Sequence, residues 1–132
     1  MRRLAGIFRA LADETRLQMM GLLLRHRELC VCEFVEVLGI TQSKASRHAR
    51  YLLHAGLVED RRAGLWVYYR IARKLSRDAL AVVRGLRTAL GGDRWHDIEA
   101  RLERSRKRKA LAGGRTCAAP QPRRGGRKGG VR

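Results

Sequence analysis

At Gly56 the spacing of apolar residues changes period. That change restricts the chain to folds in which a run of helices delivers the backbone into a short β-hairpin. Upstream, Leu4, Ile7, Phe8 and Leu11 recur at i, i+3, i+4 and i+7, the signature of one helical stripe. Asp13 and Glu14 open a second helix, where acids meet unpaired backbone N–H groups, and Leu17, Met20, Gly21 and Leu24 follow it to about 25–27. From Glu28 the residues Val31, Phe34, Val35 and Leu38 again have helical spacing, and Gly39 suits the left-handed turn that ends a helix. Thr41 can cap the next helix through its hydroxyl, with Ala45, Ala49, Leu52 and Leu53 on its inward face. Downstream of Gly56, residues 57–60 and 65–71 are rich in β-formers and flank the basic turn Arg61-Arg62-Ala63-Gly64. Ser76 can then cap a helix carrying Ala79, Val82, Val83, Leu86 and Leu90, which Gly91-Gly92 stops. The expected fold is mainly α with a small β-hairpin: a winged helix-turn-helix.

Charge divides the chain further. Formal net charge is +18 at pH 7, and residues 101–132 hold +11 of it. Trp95, Ile98 and Leu102 predict a short helix, but apolar periodicity is lost beyond Arg104. The expected organisation is a DNA-binding and dimerisation domain over 1–92, a short C-terminal helix over 93–104, and a disordered basic tail over 105–132. So basic a chain is attracted to polyanions, nucleic acid before membrane surfaces. No apolar run reaches the ~18 residues of a membrane span, and Arg2 and Arg3 precede an amphipathic segment rather than a secretory signal, so a cytoplasmic protein without a membrane partner is expected.

Two helices joined by a glycine turn, the second small inside and polar outside, fit a reader of the DNA major groove. Its outward side chains must reach base edges in a groove ~12 Å wide. Thr41, Gln42, Ser43, Lys44, Ser46, Arg47 and His48 are the candidates on the helix. Gln pairs with adenine, Lys and Arg with guanine, and Ser with several groups. Arg61, Arg62 and Tyr68 of the hairpin are placed to meet phosphate or the adjacent minor groove. Read alone, residues 31–56 also fit two packed helices with solvated polar faces; the basic hairpin that follows favours the DNA reading.

Four segments carry a family resemblance: Leu11-Ala12-Asp13-Glu14-Thr15-Arg16-Leu17, Glu28-Leu29-Cys30-Val31-Cys32-Glu33, Leu52-Leu53-His54-Ala55-Gly56-Leu57-Val58 and Leu65-Trp66-Val67-Tyr68-Tyr69-Arg70-Ile71. In this order, over roughly residues 4–90, they resemble the ArsR/SmtB family of metalloregulatory repressors. The resemblance implies a homodimer on double-stranded operator DNA, released when an inducer binds. It implies an interface from the first and last helices of the body, so Leu4, Ile7, Phe8, Leu11, Val82, Val83, Leu86 and Leu90 are the expected contacts. Glu-Leu-Cys-Val-Cys resembles the arsenite- and antimonite-sensing group, which makes Cys30 and Cys32 the expected thiolate ligands. The third cysteine of that motif is missing: Val35 stands in its place, and the remaining thiol is Cys117, a candidate third ligand outside the resemblance.

Thiolates are the soft side-chain ligands that soft metalloids select. Side chains two apart on a regular helix point to nearly opposite faces, so the spacing predicts that metalloid binding must unwind the helix start. The same thiols also fit a redox or reactive-sulfur sensor, and a buried cysteine is often only a small hydrophobe. An architectural nucleic-acid binder with structural cysteines is the reading from a different class. The cluster Asp93, His96, Asp97 lacks the full spacing of a zinc site, and no nucleophile–base constellation points to an enzyme.

Overall fold

A computed structural model describes residues 1–112. Its order is α1 (Arg2–Leu11), α2 (Glu14–Arg25), β1 (Leu29–Cys30), α3 (Val31–Leu38), α4 (Gln42–His54), β2 (Val58–Ala63), β3 (Trp66–Ile71), α5 (Arg77–Ala89) and, after a 3-10 turn at Asp93–Trp95, α6 (His96–Leu111). The helix starts follow the sequence chemistry. Asp13, Thr41 and Ser76 each accept a bond from the backbone N–H three residues on, at 3.0, 3.2 and 3.1 Å. Gly39 ends α3 at φ 64, a left-handed conformation that costs a glycine little.

The helix-turn-helix is α3–Gly39–α4, and the wing is the antiparallel pair β2–β3, closed by a loop with Gly64 at φ 61. The sheet has a third strand that the spacing did not predict. β1 pairs with β3, Leu29 opposite Tyr69 and Cys30 opposite Tyr68, giving the order β1-β3-β2. Two residues are too few for a period to show. The consequence is large: the segment that starts α3 is fastened to the wing.

Helix α2 runs through the middle of the core. Met19, Met20, Gly21, Leu22 and Leu23 are all buried, so it is apolar around most of its girth instead of along one stripe. Phe34 and Val37 of α3, and Ala45, Ala49 and Leu52 of α4, pack in the same core cluster. Ile7, Leu11 and Val83, expected at a dimer interface, are spent on this interior, at 3%, 6% and 2% exposure. Phe8 remains 56% exposed, and Leu4, Val82, Leu86 and Leu90 are half-buried.

The C-terminal helix is longer than expected. α6 continues past 104 to Leu111, so residues 105–111 are helical and not the start of a tail. Its buried positions are Leu102, Ser105 and Lys109, and two of these three are polar, which is why apolar spacing failed to mark it. They face α3, where Ser105 Oγ donates to the Glu36 carboxylate and Arg101 Nη1 donates to the Val37 carbonyl at 3.4 Å. The remainder of the expected tail, with Cys117, lies outside the described residues.

Trp95 seals the interior beside α2. Its ring lies so close to Gly21 that a Cβ there would sit 2.0 Å from the Trp95 Cη2 atom. Alanine would gain ~1 kcal/mol of helix propensity, but overpacking costs roughly 1–3 kcal/mol. Gly21→Ala is therefore expected to lower stability, read as a fall in the urea midpoint at unchanged slope.

Candidate nucleic-acid interface and thiol site

Helix α4 presents its first turn to solvent because its small residues face the other way. Ala45, Ala49 and Leu52 are 0–1% exposed, while Thr41, Gln42, Ser43, Lys44 and Arg47 are exposed. With Arg61 and Arg62 exposed on β2, this makes a basic surface shared by helix and wing. Two of the expected DNA contacts are placed differently. Ser46 is only half exposed. His48 turns inward: its Nδ1 accepts from Arg16 Nη1 at 3.2 Å and lies 3.9 Å from the Asp13 carboxylate. Burial pushes the His48 pKa below its ordinary value, although Asp13 opposes the shift.

Arg16, which spacing alone does not mark, is the residue that seats α4. Its Nε and Nη2 donate to the Ala10 and Arg9 carbonyls at the end of α1, at 2.6 and 3.2 Å. The same guanidinium stacks 4.2 Å from the centre of the Tyr51 ring on α4. One side chain of α2 thus ties α1 to the recognition helix.

The two motif cysteines meet. Cys30 is not helical: it is the last residue of β1 and the N-cap of α3, with extended backbone at φ −73, ψ 150. Cys32 lies in the first turn, and the two Sγ atoms are 2.8 Å apart. The opposite-faces rule applies only when both residues are helical, so juxtaposing the sulfurs requires no unwinding and that expectation is corrected. Cys30 is a buried free thiol whose pKa is pushed up by burial. Beside the pair is a cavity of about 50 Å³, lined by Cys30, Val31, Cys32, Gln42, Ser46, Trp66 and Val67. It has room for more than one water, and far less than a drug-sized ligand needs. Its walls come from the sensor helix start, the recognition helix and the wing strand. Val35 is packed against the core instead.

Three charged contacts frame this site. Glu33, 7% exposed, accepts from the Cys30 N–H at 3.0 Å and from Arg106 Nε of α6 at 2.8 Å. Lys109 of α6 is buried and lies 3.8 Å from Glu36. On the other side, Arg61 donates to Glu28 through Nε at 3.2 Å and stacks 4.7 Å from the Tyr68 ring. Its hydrogen bond to Glu28 holds that carboxyl below the usual range. Glu33 escapes a sequence reading because cysteine is not an ordinary capping residue, so Cys-x-x-Glu does not read as a capping box. Among the described residues no group of three or more His, Cys, Asp and Glu side chains could hold a metal ion, the 93–97 cluster included. No helix among them is long and apolar enough to cross a membrane.

Helix-turn-helix, wing and basic face define a winged helix-turn-helix regulator of the DNA-binding class. A family model described as "Bacterial regulatory protein, arsR family" matches residues 13–60. The chain is 44% identical over 80 residues to the arsenic resistance transcriptional regulator ArsR1 of Pseudomonas putida, covering 61% of this chain and 62% of that protein. It is 42% identical over 77 residues to the arsenical resistance operon repressor of Escherichia coli, covering 58% and 66%. It therefore spans a little under two thirds of the length of these relatives. In structure it is similar to the homodimeric winged helix-turn-helix domain of Mb0332 from Mycobacterium bovis, a possible ArsR-family regulator, with TM-score 0.56 and 32% identity over 67% of this chain and 78% of that one. The chain belongs to the arsR family of bacterial regulatory proteins, a family of DNA-binding transcriptional regulators and not of enzymes.

Two substitutions separate the two jobs of Glu33. Glu33→Gln keeps an acceptor for the Cys30 N–H and loses only the ion pair with Arg106, whose side chain is 43% exposed. A solvent-screened pair of this kind is worth under ~1 kcal/mol. Glu33→Ala also strands the Cys30 N–H, costing roughly 1–3 kcal/mol more. Urea unfolding should therefore show a small loss for the first and a clear one for the second.

Proposed function

We propose that this protein is a transcriptional repressor that binds operator DNA as a homodimer and leaves it when arsenite or antimonite binds the Cys30 and Cys32 thiolates. The observation that carries the reading is the small cavity in which both sulfurs share walls with Gln42 and Ser46 of the recognition helix and with Trp66 and Val67 of the wing. A ligand there touches both DNA-facing elements at once. It shifts the protein toward release to the extent that it binds the released arrangement better than the DNA-bound one. The relatives named for arsenic resistance support the choice of inducer.

The dimer rests on an apolar face. Phe8 at 56% exposure and Leu80 at 39%, with Leu4, Val82, Leu86 and Leu90 half-buried, give α1 and α5 surface suited to a second copy. The homodimeric Mb0332 domain has the same fold. A two-fold dimer calls for a near-palindromic operator with half-sites about one DNA turn apart. Within each half-site Gln42, Ser43, Lys44 and Arg47 read bases, Thr41 fixes the helix start, and Arg61 and Arg62 approach the backbone. The basic residues beyond 112 add salt-dependent, sequence-independent affinity. In the domain division we propose, residues 1–92 read DNA and dimerise, and α6 braces the sensor helix.

Fluorescence anisotropy on the DNA upstream of the protein's own coding sequence tests this, with reduced protein. Arsenite should release the wild type but not Cys30→Ser/Cys32→Ser, whose DNA affinity without arsenite should be unchanged. Release by an oxidant but not by arsenite would overturn the metalloid reading in favour of a redox sensor. Lys44→Ala and Arg47→Ala should each cost about 1–3 kcal/mol of operator affinity if the residue makes a bidentate base contact. Their effect on unrelated DNA should be much smaller, whereas equal losses on both would remove α4 as the reading helix.

A further inference from the structure

We infer that Gln42 and Ser46 hold the third, non-sulfur substituent of the metalloid bound by Cys30 and Cys32, so that the inducer occupies side chains that otherwise face DNA. The inference rests on the thiol-site reading above and names what completes that site. Two sulfurs face the cavity, and Val35, one turn further along α3, packs in the core and offers no donor. Trivalent arsenic takes three ligands. When arsenous acid meets two thiols, two As–O bonds are exchanged for two As–S bonds. Each thiol proton leaves with a hydroxyl as water, and arsenic stays trivalent. One As–OH group is left.

That hydroxyl both donates and accepts hydrogen bonds, and in so small a cavity it needs protein partners. Among the lining residues, the side chains able to accept are the Gln42 amide and the Ser46 hydroxyl. The Trp66 indole can only donate. Both acceptors lie on the first turns of α4, at i and i+4, and therefore on one face of the helix. Ser46 is half-buried and Gln42 exposed, the difference expected of residues at the inner and outer edge of a cavity mouth. A hydrogen bond to the ligand fixes the rotamers of these residues away from a base edge. Release then follows from competition for two side chains, with α3 intact.

Direct titration without DNA tests the idea, using the full reduced chain and two probes. Arsenite keeps a hydroxyl at the third position; monomethylarsonous acid places a methyl group there, which makes no hydrogen bond. Gln42→Leu/Ser46→Ala should weaken arsenite binding by about three- to tenfold for each hydrogen bond lost. Affinity for monomethylarsonous acid should stay within twofold of the wild type, and Ser46→Thr should restore part of the arsenite affinity. Equal loss for both probes, or no loss for either, would overturn the inference. Loss of arsenite affinity in Cys117→Ser as large as in Cys30→Ser would also overturn it, by showing that a thiolate fills the third position. Unchanged arsenite binding by Cys30→Ser/Cys32→Ser would instead remove the thiol site itself, a distinguishable failure.

Discussion

The structure around the two cysteines depends on what one backbone residue does. Cys30 closes a two-residue strand paired to β3 and, in extended conformation, caps α3. Its N–H is taken by Glu33, which also receives Arg106. Strand pairing fixes where α3 starts, and the Glu33 bond satisfies a donor that would otherwise be stranded in a buried place. Because α3 leads through Gly39 into α4, an error at Cys30 moves the recognition helix. Because β1 pairs with β3, the same error reaches the wing. Both DNA-facing elements thus take their position from the residue that also carries a thiol.

Much of this was legible from spacing and capping chemistry. The helices of the body, the caps at Thr41 and Ser76, the glycine turn and the hairpin each had a local signal, and a local signal survives folding when tertiary contacts agree with it. What stayed hidden had none. β1 is too short to show alternation. The far end of α6 packs through Ser105 and Lys109, and a polar buried face looks like a solvated one. His48 has the composition of a DNA contact but the position of an inward residue, since Arg16 reaches it from another helix. Ile7, Leu11 and Val83 show that periodicity locates a buried stripe without saying whether the protomer or a partner covers it.

The cysteine pair is the most instructive departure. Two residues of spacing on a helix separates side chains, and from that premise a conformational break is required before both can grip one atom. The premise fails by one residue, because the helix begins at Val31 and Cys30 lies outside it. Helix boundaries are the least legible part of a sequence. Here the boundary decides the chemistry: an extended residue beside a first-turn residue brings the sulfurs together with the native backbone in place.

A site already assembled changes what the inducer has to do. It need not unfold anything; it has only to make operator binding lose to operator release. A good bidentate base contact is worth about 1–3 kcal/mol of discrimination, and every 1.4 kcal/mol is tenfold in affinity. Withdrawing two or three side chains of α4 from base edges therefore removes on the order of a hundredfold or more of specificity. The basic surface is untouched by this. Net charge of +18 still draws the protein to DNA of any sequence. The liganded protein then leaves its operator for the excess of other DNA sites without leaving DNA. A cavity of about 50 Å³ suffices for such a switch because it abuts the reading helix; the same ligand bound further away would need a larger rearrangement to the same end.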